Sequence, residues 1–223
     1  MHLIGSLASP FVHRCLIVAR AKGHDIAVSP PPGGSMHSEE FQAVSPMGRI
    51  PVLALDDGSH ICESTAIVAY LDEVLDGPAL LPAAPAARAR LREIETIAIG
   101  ELAAGLRPVI VHRIFRVSQN EPRVAAGIEQ ADRGCAALAR LMADTTLPGE
   151  TITRADAALT PFTALLTIIA DQPEITDLLA RHGFLSGYRE RADRYPLLAR
   201  TQSEMKEGFA AIRARLAQAA AAG

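Results

Sequence analysis

The sequence has no tryptophan, and aromatic residues make up only 4% of its 223 positions. It has no surplus of positive charge either, since 22 Lys and Arg against 25 Asp and Glu leave a formal net charge of -3. A nucleic-acid binder needs a basic face and stacking rings, so no nucleic acid is expected as a partner. No apolar run reaches membrane-spanning length, and residues 1–20 lack the layout of a signal peptide. No membrane partner is expected. Cysteine is scarce: Cys15, Cys62 and Cys135 are odd in number and far apart, which favours free thiols in a reducing cytoplasm over a disulfide framework. His2, His13, His24, His60, His112 and His182 show no metal-ligand spacing and read as surface or packing histidines, so no metal is expected.

What is present is an ordinary globular composition, 49% hydrophobic and 21% charged. The first 75 or so residues mix short strands with helices. "HLIG" is a short apolar run. Pro10 to Ala21 reads as a helix with Val12, Cys15, Leu16 and Ala19 on one face and Gly23 as its stop. "DIAV" is a second strand, and "SPPPGGS" forbids regular structure. "SEEFQAV" gives at most two helical turns. "PVLAL" and "HIC" form a hairpin around Asp57-Gly58, and Ser64 to Leu75 is helical. The order is βαβ, then α, then ββα. Residues 77–86, "GPALLPAAPA", carry three prolines and read as a linker. Everything after them reads as helix: Arg88 to Arg116 with a bend at Pro108, Pro122 to Ala143, an apolar Ala155 to Ala170, and shorter segments divided near Pro173, Gly183 and Pro196. The tail "AQAAAAG" is expected to fray. The composition shift predicts an α/β domain over 1–77, a linker over 78–86 and an all-α domain over 87–223.

Three short stretches carry candidate chemistry. In "RIPVL", Pro51 opens a strand where a proline has no N–H for the ladder. A trans proline on an edge strand explains this. So does a cis Ile50-Pro51 bond that turns the Ile50 backbone toward a ligand lying as an added strand. In "ES", Ser64 reads as an N-cap and Glu63 as its neighbouring acid. That is either a plain capping pair or a site for a head group with both a carboxylate and an ammonium. In "SPFV", Ser9 caps the first helix and Pro10 takes its first position. In a βαβ…ββα layout this is the slot of a C-x-x-C redox motif, but it reads S-x-x-V here, so dithiol chemistry is absent. A hydroxyl there can still donate to a ligand's thiolate and so activate it as a nucleophile.

In order and spacing, "SPFVHRCLIVARAKG" (9–23), "FQAVSPMGRIPVL" (41–53) and "ESTAIVAYLDE" (63–73) resemble the cytosolic glutathione transferase family. The resemblance covers nearly the whole chain. It implies an α/β thioredoxin-like N-terminal domain and an all-α helical-bundle C-terminal domain. It implies glutathione as co-substrate, with Ser9 as the activating residue and no metal. Ser6 is a rival for Ser9, which is favoured because it directly precedes the helix. Phe11, His37, the Ile50 backbone, Pro51 (with a cis bond), Glu63 and Ser64 are implied as the glutathione site, Glu63 and Ser64 holding its γ-glutamyl end. Leu7, Val111, His112 and Phe115 are implied for the acceptor-substrate pocket. "TITRADAALTPF" resembles the family's capping box, with Thr153 and Asp156 satisfying each other's backbone. "RADRYPLLARTQ" resembles the family's end motif.

Serine, where omega-like and beta-like relatives have cysteine, argues against thiol reduction through a mixed disulfide. Cys15 and Cys62 are expected to be core thiols. Ser45-Pro46 replaces a more usual Asn-Pro and reads as neutral. The expected activity is conjugation of the glutathione thiolate to an electrophilic hydrophobic substrate, by a cytoplasmic homodimer. A maleyl-type isomerase is the first alternative, and Arg107, Arg113 or Arg116 facing inward would favour it. A non-catalytic binding module is the second.

Overall fold

In the computed structural model, which describes residues 1–222, the chain opens with β1 (His2–Ile4) and α1 (Pro10–Ala21). There follow β2 (Val28–Ser29), a 3-10 turn (Pro32–Gly34), α2 (Glu39–Val44), β3 (Val52–Ala54), β4 (His60–Cys62) and α3 (Ser64–Val74). The strand order is β2-β1-β3-β4, with β1 parallel to β2 and β3 antiparallel to both of its neighbours. This is the thioredoxin-like sheet that the βαβ…ββα order implies. The strands are only two or three residues long, so burial by the flanking helices has to hold them.

The rest is helical: α4 (Pro85–Ile97), α5 (Ala104–Val109), α6 (Glu121–Leu141), α7 (Arg154–Ile168), α8 (Pro173–Arg181), α9 (Phe184–Ala192) and α10 (Pro196–Ala222). Pro85 is the first residue of α4 and not linker. A missing N–H costs nothing at that position. Two π-helical stretches, Ala98–Ala103 and Ile110–Ile114, flank α5. Pro108 lies inside α5 and cannot donate to the turn before it. Wider turns on either side re-route the backbone bonds around such an interruption. The helix α10 runs through Ala222 where the tail was expected to fray; Gly223 lies outside the described residues.

The helix α1 is the hinge of the architecture. The sequence suggested one buried face, but Val12 through Ala19 are all buried. One side meets α3, while others meet α7 and α10. Phe11 sits edge-on to Phe162 of α7, with ring centroids 5.2 Å apart. At the start of α7 the capping box is formed: the Thr153 N–H and Oγ1 donate to Asp156 Oδ2 at 2.8 and 2.7 Å, and the Asp156 N–H donates to Thr153 Oγ1 at 3.3 Å. Among the described residues no helix is long and apolar enough to cross a membrane.

Candidate functional site

Strand register gathers the candidate residues at one end of the sheet. Ile4 lies opposite both Ser29 and Val52, and Val52 lies opposite Cys62. The chain leaving β1 toward Ser9, leaving β2 toward His37, entering β3 from Ile50-Pro51 and leaving β4 at Glu63-Ser64 therefore all emerge there. The Ile50-Pro51 bond is cis. Ser45, read as a neutral replacement, is buried and clamps the turn before it: its Oγ donates to the Arg49 carbonyl at 2.9 Å and accepts the Arg49 N–H at 3.0 Å.

At the Glu63-Ser64 corner the structure corrects the capping assignment. Glu63, not Ser64, occupies the N-cap position of α3, and its side chain makes no capping bond. Its backbone is left-handed at φ 66, a conformation that costs a residue with a side chain on the order of 1–3 kcal/mol and that clusters at binding sites. The Glu63 carboxylate is exposed, and among the described residues no cation pairs with it.

Ser64, the first residue of the helix, is buried, and its Oγ accepts from Arg14 Nη1 at 2.6 Å. A hydroxyl has one proton and two lone pairs. With a guanidinium on the oxygen, the proton must point elsewhere, and among the described residues nothing accepts it. Arg14 is itself fully buried and donates through Nη2 to Glu95 Oε1 of α4 at 2.8 Å. The same carboxylate takes Arg154 of α7 at 3.0 Å. Burial holds the Arg14 pKa below its usual value, yet an arginine stays charged. Among the described residues, two guanidinium groups against one carboxylate leave one largely buried positive charge behind the start of α3. It adds to the uncapped N–H groups and helix dipole there, and both favour an anion. A cleft of about 380 Å³, lined in part by Thr65, Glu95 and Arg154, opens beside the triad.

At the other corner, Ser9 caps α1 and accepts the Val12 N–H at 3.4 Å. Its own N–H donates to the Ser6 carbonyl at 2.9 Å. Ser6 Oγ accepts the Ala8 N–H at 3.3 Å. Among the described residues neither serine donates its hydroxyl proton to an acceptor.

The remaining expected site residues are spread more widely. His37 is exposed in the loop after β2. The Phe11 side chain is taken up by Phe162. Leu7 is exposed, as is Phe115, while Val111 is partly buried on the π-helical stretch. His112 is buried and its Nδ1 faces the Ser118 carbonyl at 2.9 Å, so it is bonded near its own helix end. Arg113 is bonded by Glu121 and by Glu174, and Arg107 and Arg116 are exposed. Cys15 is buried, and desolvation pushes its thiol up to about 12. Cys62 is only half-buried and donates to the Val44 carbonyl at 3.3 Å.

The residues missed at the sequence level are His13, Arg14, Glu95 and Ser45. A charged side chain just before the apolar run Cys15 to Ala19 was the available signal for Arg14. The one-face reading of α1 hid it.

The family model described as "Glutathione S-transferase, N-terminal domain" matches residues 3–79. The chain is 30% identical over 161 residues to the uncharacterized GST-like protein YibF of Escherichia coli, covering 71% of this chain and 78% of that protein. It is 31% identical over 155 residues to the maleylacetoacetate isomerase of Rattus norvegicus, covering 66% of this chain and 69% of that one. Among solved structures, a glutathione S-transferase domain-containing protein of Marinobacter aquaeolei superposes with a TM-score of 0.69 at 26% identity, covering 89% of this chain and all of that one. A glutathione S-transferase from Methylobacillus flagellatus, solved with glutathione bound, superposes with a TM-score of 0.75 at 22% identity, covering 90% of this chain and 98% of that one. The chain thus belongs to the glutathione S-transferase family.

Proposed function

We propose that this protein transfers the glutathione thiolate to an electrophilic carbon of a small hydrophobic substrate. The observation that carries the reading is the convergence, at one sheet end, of two serine hydroxyls, Ser9 and Ser64, whose oxygens accept from the protein and whose protons have no acceptor among the described residues. In this reading glutathione lies extended across that end. Its γ-glutamyl carboxylate takes the Ser64 hydroxyl proton and the first amides of α3, and Glu63 takes its ammonium. The Ile50 backbone pairs with the cysteinyl unit, and His37 lies toward the glycyl end. Ser9 Oγ–H donates to the sulfur. That bond favours the thiolate over the thiol and persists as charge moves off sulfur toward the electrophile. The thiol proton leaves to solvent, the sulfur–carbon bond forms, and the electrophile's leaving group or π electrons take up the charge. Holding both reactants in one cleft supplies the second part of the rate.

Isomerisation of a maleyl-type diacid by reversible addition of the same thiolate is the second reading, favoured by the likeness to a maleylacetoacetate isomerase. It needs inward cations for the diacid. Arg113, already bonded by two carboxylates, is poorly suited to that. Three unpaired thiols suit a reducing cytoplasm, and a homodimer fits the family. The test is a crystal soaked with glutathione together with assays on aryl halides, enones and maleyl diacids. The transferase reading expects product with the first two classes and loss of turnover in Ser9→Ala. Turnover of diacids alone would favour the isomerase.

A further inference from the structure

His13, read from the sequence as a surface or packing histidine, is fully buried. It lies one helical turn after Ser9 on the same face of α1. Helical side chains lean toward the helix N-terminus, and the His13 ring reaches back over the first turn: Nε2 stands 2.7 Å from the Leu7 carbonyl. A carbonyl only accepts, so Nε2 carries the proton and Nδ1 the lone pair. Nδ1 has no hydrogen-bond partner and faces Glu204 of α10 across 3.9 Å. Glu204 is held in turn by Arg20, at 2.8 and 3.0 Å, and by Arg200 at 2.8 Å. Burial lowers the His13 pKa to about 4 against the pull of Glu204, so the ring is a neutral donor at ordinary pH.

The same loop is pressed from the other side. A Cβ on Gly208 of α10 would stand 2.7 Å from the Ala8 nitrogen and 2.9 Å from the Leu7 carbonyl carbon. The turn between Ser6 and Ser9 is closed by the Ser9 N–H on the Ser6 carbonyl, so shifting Leu7 or Ala8 shifts both serines.

We propose that His13 is a positioning residue: tied to the Leu7 carbonyl and backed by α10, it fixes the turn carrying Ser6 and Ser9, and so fixes where the Ser9 hydroxyl meets sulfur. The inference rests on the transferase reading for its consequence, but not for its first test, which needs no ligand.

That test is amide hydrogen exchange at Ala8 and Ser9 in the wild-type protein, His13→Leu, His13→Gln and Gly208→Ala. Losing one bond to the turn should speed exchange at those amides about tenfold in His13→Leu. Gln, which offers an N–H at similar reach, should restore most of the protection. Gly208→Ala should loosen the turn from the opposite side without touching His13. With glutathione, His13→Leu and Gly208→Ala should raise the pKa of the bound thiol, followed by its thiolate absorbance. They should lower kcat about 10- to 100-fold while leaving the glutathione Kd within about threefold. Unchanged exchange in folded His13→Leu overturns the proposal, and so does His13→Gln behaving like His13→Leu. Absence of glutathione binding by the wild-type protein would instead sink the transferase reading, with the exchange result still deciding the role of His13.

Discussion

The two corners of the candidate site are built on opposite principles. Behind Ser64 stands a buried triad, Arg14, Glu95 and Arg154, that carries one positive charge uncompensated among the described residues. Behind Ser9 stands a neutral imidazole, a backbone turn and a close-packed glycine. In the proposed reading the charged corner holds the ligand's ionised end, because a largely buried cation attracts an anion. In that reading the neutral corner acts through one hydroxyl placed at the sulfur. The first corner ought to control affinity and the second rate.

Glu95→Met should break this comparison most severely. It removes the one carboxylate shared by Arg14 and Arg154 and leaves two buried guanidinium groups without it, so a loss of about 3–5 kcal/mol is expected in urea unfolding. Ser9→Ala comes next. Losing one donor to a developing thiolate should lower kcat by about 10²–10³-fold and leave the calorimetric Kd for glutathione nearly unchanged. Wild-type kcat across pH would transfer the activating role to Ser6, with Ser6→Ala as the control.

Acid titration separates the corners by a different route. The folded pKa of His13, about 4, lies below its ordinary value of 6.5. The unfolded chain therefore binds the proton first. The contribution of this group is intact above about pH 6.5, is lost as pH falls toward 4, and is flat below. Its full size is about 3 kcal/mol. Unfolding curves of wild type and His13→Gln, taken through that window, should converge as the pH drops.

Glu63→Gly sharpens the comparison with a trade. Glycine accepts the left-handed backbone at position 63, so stability should rise by about 1 kcal/mol. Removing the carboxylate should weaken glutathione binding about tenfold. A variant that is more stable and binds less tightly would identify the conformation as held for the ligand. Thr153→Ala is the smallest change: it should cost about 1 kcal/mol of stability and leave Kd and kcat alone, since among the described residues neither the Thr153 nor the Asp156 side chain bonds a residue of either corner.

Much of the scaffold was legible because short elements are bounded by strong punctuation. Pro10 and Gly23 bracket α1, and Asp57-Gly58 joins β3 to β4. The placement of the three stretches at element boundaries was legible too, because local chemistry is distinctive there. What supports them was not. Arg14 and Glu95 are 81 positions apart, and only the packing of α1 against the helical part makes them neighbours. His13 looked ordinary because its partner is a backbone carbonyl, which leaves no trace in sequence. Ser64 was misplaced by one position because a left-handed Glu63 is a costly conformation that propensity argues against.

The most direct test follows the sulfur itself: titrating the thiol of glutathione bound to the wild-type protein by its ultraviolet thiolate absorbance, beside Ser9→Ala. The account predicts a bound thiol ionised well below the ~8.5 of a free one, moving back toward that value in the variant while the ligand still binds. A bound thiol that titrates like free glutathione in both proteins would contradict it.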